Sequence, residues 1–304
     1  MLAFVFPGQG SQYPGMGQDF AGNFAVARQT FEEANDALAF DLAKLCFEGP
    51  EEDLKLTTNT QPAILATSVA ALRVVQTETG LVPQYVAGHS LGEFSALVCA
   101  QGINFADALR TVRQRGAFMQ EAVPVGVGAM AALIGLDAAD VEAVCSEAAK
   151  GEIVAPANFN SPGQIVIAGH ASAVERAMVL ARESGAKRAL PLPVSAPFHC
   201  PLMVPAGERL QEVLAGIPVA APDVPVVTNV EAAPNQDESR IKELLVAQVS
   251  APVRWQESIE KMAGLGVDRF IEIGPGKVLA GLVKRITREA AAQNVEDTGS
   301  LRKL

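Results

Sequence analysis

The sequence predicts an α/β protein: a large domain built on a parallel sheet with a nucleophile elbow, carrying a smaller inserted domain of element order β-α-β-β-α-β. Three observations carry that prediction. Short apolar runs at Leu2–Phe6, 85–87 and Arg269–Ile273 each end in a glycine-rich turn and are followed by helical patterns, as buried parallel strands alternating with helices are. Gly88-His89-Ser90-Leu91-Gly92 fits G-x-S-x-G between the second run and the helix-compatible stretch 93–100, which is the strand, tight turn and helix of an elbow. From Val125 to Val194 the periodicity changes to the order of a ferredoxin-like unit. The large domain is therefore expected to span 1–124 and 195–304, with 125–194 inserted.

Taken in order, Leu2–Phe6 ends at Pro7-Gly8-Gln9-Gly10-Ser11-Gln12, a turn at the carboxyl end of the first strand, where open α/β sheets bind ligands. It is not a dinucleotide fingerprint, whose third glycine would fall at Tyr13. Helical spacing covers 20–38, and 42–56 reads as short helical pieces. Thr60-Gln61-Pro62 starts a long helix that Gly80 stops. In the elbow, Gly88 and Gly92 leave room for strand and helix to approach, and Ser90 is lifted out of the sheet edge. Beneath it the unpaired N–H groups of the next helix would meet an anion developing there. Asn104 caps a helix to about Met119. At about 100° per residue, Arg115 shares the apolar stripe of Thr111, Val112, Phe118 and Met119, whereas Arg110 and Arg113 face a more polar side. A cation there needs an anion, which a substrate or one of the 34 acidic residues could supply, unless the side chain snorkels.

In the insert, strands are expected at 129–134, 153–157, 164–168 and 187–192 and helices at 138–149 and 171–184, with 158–163 a turn. Gly126-x-Gly128-x-x-Ala131 precedes its strand, so it is not a nucleotide fingerprint. At Pro197-Phe198-His199-Cys200 the chain re-enters the large domain. Helices are then expected at 202–214, 241–249 and 251–262, and strands at 224–228 and 269–273. Gly274-Pro275-Gly276-Lys277 is not a P-loop, because Ile271 stands where the upstream glycine belongs. The tail from about Ala290 is expected to be poorly anchored.

A chain of 304 residues, 49% of them hydrophobic, can fill one large or two unequal domains. Its apolar runs are too short to span a bilayer, and the first residues lack the basic region of a secretory signal. Cys46, Cys99, Cys145 and Cys200 are scattered without C-x-x-C spacing, which indicates neither a zinc knuckle nor a disulfide framework and suits a reducing cytoplasm. A formal charge of -10 argues against nucleic acid or an anionic membrane as the main partner.

A serine nucleophile needs a base, and the chain has three histidines. His89 adjoins Ser90 and, in an extended strand, points the other way. His170 sits at a strand-to-helix turn, where a solvated or capping role suffices. His199 lies in the loop where the two domains meet and is the candidate base, its alternative being a loop histidine with satisfied hydrogen bonds. The acid of an ordinary α/β hydrolase should fall between serine and histidine, but Asp107, Asp137 and Asp140 all stand at helix starts, where capping explains them. The base is therefore expected to be held by a carbonyl, which fixes its tautomer but stabilises an imidazolium less than a carboxylate does.

Phe6-Pro7-Gly8-Gln9-Gly10-Ser11-Gln12, Gly88-His89-Ser90-Leu91-Gly92-Glu93, Arg113-Gln114-Arg115-Gly116, Asn158, Ser195-Ala196-Pro197-Phe198-His199, Gln248, Pro252-Val253-Arg254-Trp255 and Glu272-Ile273-Gly274-Pro275-Gly276 occur in one order along almost the whole chain. Together they resemble the malonyl-CoA:acyl carrier protein transacylases of bacterial type II fatty acid synthesis. The resemblance implies a hydrolase-like α/β domain with a ferredoxin-like insertion, acting as a cytoplasmic S-malonyltransferase. Ser90 would carry the malonyl group, His199 would act as base and then acid, and Gln248 would orient His199 through a carbonyl. The backbone N–H groups of Gln9 and Leu91 would form the oxyanion hole, and Arg115 would hold the malonyl carboxylate. No metal or other cofactor is implied; the partners are malonyl-CoA and acyl carrier protein, and a monomer is expected. Acyl carrier proteins are acidic, so docking would use a local basic patch: Lys187 and Arg188, or Lys277, Lys284, Arg285 and Arg288, which otherwise read as solvated surface. The alternatives are a serine esterase or thioesterase, an acyltransferase of polyketide synthesis with another extender unit and, more remotely, a non-enzymatic binding module.

Overall fold

The computed structural model describes residues 1–194 and 196–304; Ser195 lies outside them. After β1 (Leu2–Phe6) the chain passes through α1 (Gln18–Asn23), α2 (Ala25–Leu38), α3 (Leu42–Glu48), α4 (Glu51–Lys55) and α5 (Thr57–Thr79), and returns to the sheet as β2 (Tyr85–Gly88). The elbow leads into α6 (Gly92–Cys99) and α7 (Phe105–Glu121). The middle stretch is β3 (Gly128–Ile134), α8 (Ala138–Ala149), β4 (Val154–Ser161), β5 (Gln164–His170), α9 (Ala171–Glu183) and β6 (Arg188–Pro191). The remainder supplies α10 (Val204–Ala215), β7 (Val226–Val227), β8 (Pro234–Asn235), α11 (Glu238–Ser250), α12 (Trp255–Gly264), β9 (Arg269–Ile273), α13 (Val278–Ile286), β10 (Ala291–Val295) and α14 (Thr298–Leu301).

The large sheet runs β10-β9-β1-β2-β7-β8 and is parallel except for β8. β1 is apolar on both sides because both sides are covered. Phe4 and Phe6 enter the core shared with α2, α5 and α7, while Ala3 and Val5 pack with residues of α12 and α13. Phe6 registers with Gly88, so the two strands stop level and the turns bearing Gln9 and Ser90 leave the sheet side by side. The second sheet, β4-β5-β3-β6, is antiparallel throughout. Alternation along β3 explains its two faces: Ala131 and Leu133 pack with α8 and α9, whereas Met130 belongs to the large core. β4 is tied to the large unit by backbone: Phe159 N donates to Val253 O at 2.9 Å and Val253 N to Ala157 O at 2.8 Å.

Several boundaries differ from expectation. The helix expected over 20–38 is broken at Phe24, whose backbone is extended and whose ring meets Phe20 edge-on at 5.8 Å; apolar spacing continues across the break and conceals it. α5 begins at Thr57, so Pro62 lies in its second turn, and Gly80 ends it as foreseen. β4 runs on to Ser161 through most of the expected turn, with two irregularities in register, while β7 keeps only two residues of 224–228. The helix expected from Ala251 starts at Trp255, because Val253 is committed to the bridge with β4. The tail is anchored after all: β10 pairs with β9 along its whole length, Thr298 N donates to Asp19 at 2.7 Å and Tyr13 Oη to Glu296 at 3.0 Å. Its anchors are mostly polar, which is why hydropathy missed them. Among the described residues no helix is long and apolar enough to cross a membrane.

Candidate active site

At the elbow Ser90 adopts a left-handed conformation with φ 51°, a strain of about 1–3 kcal/mol for a residue with a Cβ. The surroundings hold it there. A Cβ on Gly88 would fall inside the backbone of Gly92, and one on Gly92 would collide with the Phe6 carbonyl, so strand, turn and helix approach more closely than any side chain allows. Buried Asn229 completes the clamp: its Oδ1 accepts from Ser90 N at 2.6 Å and its Nδ2 donates to Gly88 O at 2.7 Å.

His199, also at positive φ, sets Nε2 2.7 Å from Ser90 Oγ. Its Nδ1 lies 2.9 Å from Gln248 O and 3.2 Å from Ala251 O. Two carbonyls at Nδ1 require the proton there, which leaves the Nε2 lone pair to accept the serine hydroxyl. Burial first, and then the nearby Arg115 guanidinium, hold the imidazole down to about 3, against the pull of the two carbonyls. It is neutral at physiological pH, as a base must be. The carbonyl expected to orient it is present, and among the described residues no carboxylate bonds it.

Arg115 is only 1% exposed. Its Nη1 donates to Gln61 Oε1 at 2.8 Å, and its Nη2 donates to Gln248 Oε1 at 2.8 Å and to Ser90 Oγ at 3.1 Å. Its Nε is unpaired, and no carboxylate forms an ion pair with it among the described residues. Burial lowers its pKa to about 10, with Glu93 opposing, so it stays cationic at neutral pH. Of the explanations the sequence left open, a direct ion pair and a snorkelling side chain both fail, and the nearby anion Glu93 reaches Arg115 only through the Gln248 amide.

Gln9 and Leu91 line the same cavity, about 110 Å³ in volume, and neither backbone N–H donates to another group among the described residues. Met119, Met130 and Phe198 form its apolar wall. A second cavity of about 210 Å³ adjoins it, sharing Gln9, His89, Asn158 and Leu192 and continuing past Gly10 and Asn160 to Val278 and Leu282 on α13. A long, narrow ligand would reach Ser90 through this sequence of spaces.

The other candidates fall away from Ser90. His89 Nε2 meets Asn160 Oδ1 at 2.9 Å, and His170 Nδ1 accepts from Ile153 N at 2.9 Å rather than capping α9. Asp137 caps α8 and Asp140 donates its N–H to that cap; Asp107 bonds Asn104 and Arg110. All six basic residues proposed for docking are exposed, and those of 277–288 flank the helix that lines the outer cavity. Sequence reasoning assigned no role to Gln61, Glu93 or Asn229. Glu93 was visible inside the elbow motif, but its partners Gln248 and Asn229 are more than a hundred residues away in sequence.

A serine bonded to an oriented, neutral imidazole, beside two free amides and a guanidinium with no carboxylate in direct contact, can form an acyl-serine from an acyl group that carries its own negative charge. Residues 3–303 match the family described as acyl transferase domain. The chain is similar to the malonyl CoA-acyl carrier protein transacylase of Salmonella typhimurium, with 54% identity over 300 residues covering 99% of this chain and 97% of that one. Among solved structures it is similar to an acyl carrier protein S-malonyltransferase from Vibrio cholerae, with TM-score 0.97, 53% identity and 99% of each chain covered. It is equally similar to a malonyl-transacylase in complex with its type II PKS acyl-carrier protein, with TM-score 0.97, 53% identity, and 99% and 98% covered. On a match of this extent, the chain belongs to the acyl transferase family and, within it, to the malonyl CoA-acyl carrier protein transacylases.

Proposed function

We propose that this protein moves a malonyl group from malonyl-CoA to the phosphopantetheine thiol of acyl carrier protein, through a malonyl ester on Ser90, in supply of fatty acid synthesis. The observation that carries the choice of acyl group is Arg115, a buried cation 3.1 Å from Ser90 Oγ that no carboxylate contacts directly among the described residues. A malonyl group has a free carboxylate to give it.

In the first half-reaction His199 Nε2 takes the Ser90 proton as Oγ attacks the thioester carbonyl. The oxyanion meets the N–H groups of Gln9 and Leu91, each worth about 3 kcal/mol of barrier. Collapse expels the CoA thiolate, which takes its proton from His199. In the second half-reaction the carrier thiol gives its proton to His199 and attacks the ester, and His199 Nε2 returns that proton to Ser90 Oγ as the serine leaves. The malonyl carboxylate on Arg115 would also offset the charge that depresses His199, so the base strengthens when the right acyl group is present. Both thiol carriers have the phosphopantetheine arm, and the two adjoining cavities suit one arm entering by α13, where Lys277, Lys284, Arg285 and Arg288 would meet the acidic carrier.

The same reading takes residues 1–124 and 195–304 as a hydrolase-like catalytic domain and 125–194 as a ferredoxin-like insertion. The strand order β4-β5-β3-β6 with α8 and α9 on one face supports the latter. A cytoplasmic monomer is proposed with it.

Protein incubated with malonyl-CoA is expected to gain one malonyl mass on the peptide containing Ser90. Acyl carrier protein should discharge it far faster than water; rapid discharge by water would favour a thioesterase instead. Replacing Arg115 by Ala is expected to lower kcat/KM for malonyl-CoA by about 100-fold or more, the loss of a buried charge-assisted pair, while acetyl transfer falls much less. Equal losses for the two acyl groups would contradict the carboxylate clamp.

A further inference from the structure

Glu93, in the first turn of α6, is 2% exposed and has no cation in contact among the described residues. Its Oε2 accepts from Gln248 Nε2 at 2.8 Å and from Asn229 N at 3.0 Å. The Gln248 amide thus stands between Glu93 and Arg115. A carboxylate only accepts and a guanidinium only donates, so the amide can sit one way round, with oxygen to Arg115 and nitrogen to Glu93. Asn229, the other group on Glu93, is the clamp of the elbow. One buried carboxylate therefore braces both the cation and the nucleophile's backbone.

Hydrogen bonding alone does not account for a charge at this position, because an amide oxygen could accept the same two bonds without the desolvation cost of an anion. Charge balance does. In the empty site Glu93 and Arg115 sum to zero, and a malonyl carboxylate adds a second anion to a buried space. We infer that Glu93 is a positioning residue for the malonyl clamp: it aims Arg115 through the Gln248 side chain, balances its charge in the empty site, and takes up a proton when the malonyl carboxylate replaces it. This inference rests on the proposed role of Arg115.

Burial already raises Glu93 to about 7, so the proton is available near neutral pH. Of the elements packed on α6, α7 contributes Arg115, the end of β2 His89 and the loop before α10 His199. β1 and β7 carry no charged residue, and Arg73 of α5 is bound to Glu33 at the surface. On α7, Asp107 pairs with Arg110, and Arg113 donates to Leu38 O. His199 and His89 are pushed down and neutral, and Arg115 keeps its charge below about 10. An acid that protonates at about 7 in the empty site and at a higher pH with malonyl bound makes malonyl recognition strongest below pH 7. Recognition then weakens as pH rises through the window between the two values.

The test is the ratio of kcat/KM for malonyl-CoA to that for acetyl-CoA between about pH 6 and pH 9, a window in which His199 of the free protein, held down to about 3, does not titrate. The ratio is expected to fall about tenfold from pH 7 to pH 9 in the unmodified protein, and to be flat in Glu93→Gln, which retains both hydrogen bonds. A flat ratio in the unmodified protein, or the same slope in Glu93→Gln, overturns the inference; the first measurement needs no variant to fold. Arg115→Ala separates the two layers. If it abolishes the malonyl preference while the unmodified ratio is flat, only the role of Glu93 fails. If it leaves the preference intact, the clamp fails and this inference with it.

Discussion

Replacing Ser90 by Ala is expected to lower malonyl transfer by about 10⁵-fold or more, and the variant should acquire no malonyl mass from malonyl-CoA. The hydroxyl is the acceptor of the acyl group in the proposed scheme, so no neighbouring group can stand in for it. His89, the adjacent histidine, is bonded to Asn160, and His199 without Ser90 has no proton to take. Serine and imidazole would act as one unit across the 2.7 Å bond, so His199→Ala should cost a comparable amount and the double variant little more than either single one. Additive losses would mean that the two side chains serve separate steps. The thermal midpoint of Ser90→Ala should change little, because alanine keeps the same strained backbone and Asn229 still holds the amide. Residual transfer within tenfold of the parent would remove Ser90 from the mechanism.

The second large effect is on folding. Gly88→Ala is expected to abolish soluble expression or to destabilise the protein by more than about 4 kcal/mol, measured by urea denaturation. The new methyl would occupy the backbone of Gly92, and relief would require moving α6 off the sheet. Gly92→Ala should behave alike, since its methyl meets the carbonyl of Phe6 on the central strand. Gly22→Ala, in a helix with open space around it, is the control and should be neutral or stabilising by up to about 1 kcal/mol. Equal stability of Gly88→Ala and the parent would mean that the elbow is not closed as tightly as described.

The two glycines also show why much of the site was legible in the sequence. An elbow is a local structure, written in five consecutive residues, and the choice among three histidines needed only the position of each relative to strand and loop. Arg115 stood out because 3.6-residue periodicity put a cation on an apolar stripe, and a helix reports its faces honestly over four turns. The parts that stayed hidden depend on contacts between distant segments. Gln248 was placed by its carbonyl alone, whereas its side chain joins Arg115, Glu93 and Ser90 across more than a hundred residues. Asn229 lies in a turn with no pattern to mark it. Val253 left its expected helix because β4 offers it a partner, a tertiary preference that overrides local propensity. β10 is an edge strand with polar anchors, so its composition resembles that of a loose end.

The middle stretch contributes Met130, Leu192 and Val194 to the wall over Ser90, whereas Ser90, Arg115 and His199 belong to the segments on either side of it. Much of that wall is thus encoded apart from the machinery, Met119 and Phe198 being the exceptions. A change of acyl size can be accommodated by substitutions in the first without disturbing proton transfer in the second, and such a division lets one chemistry be inherited while its cargo diverges.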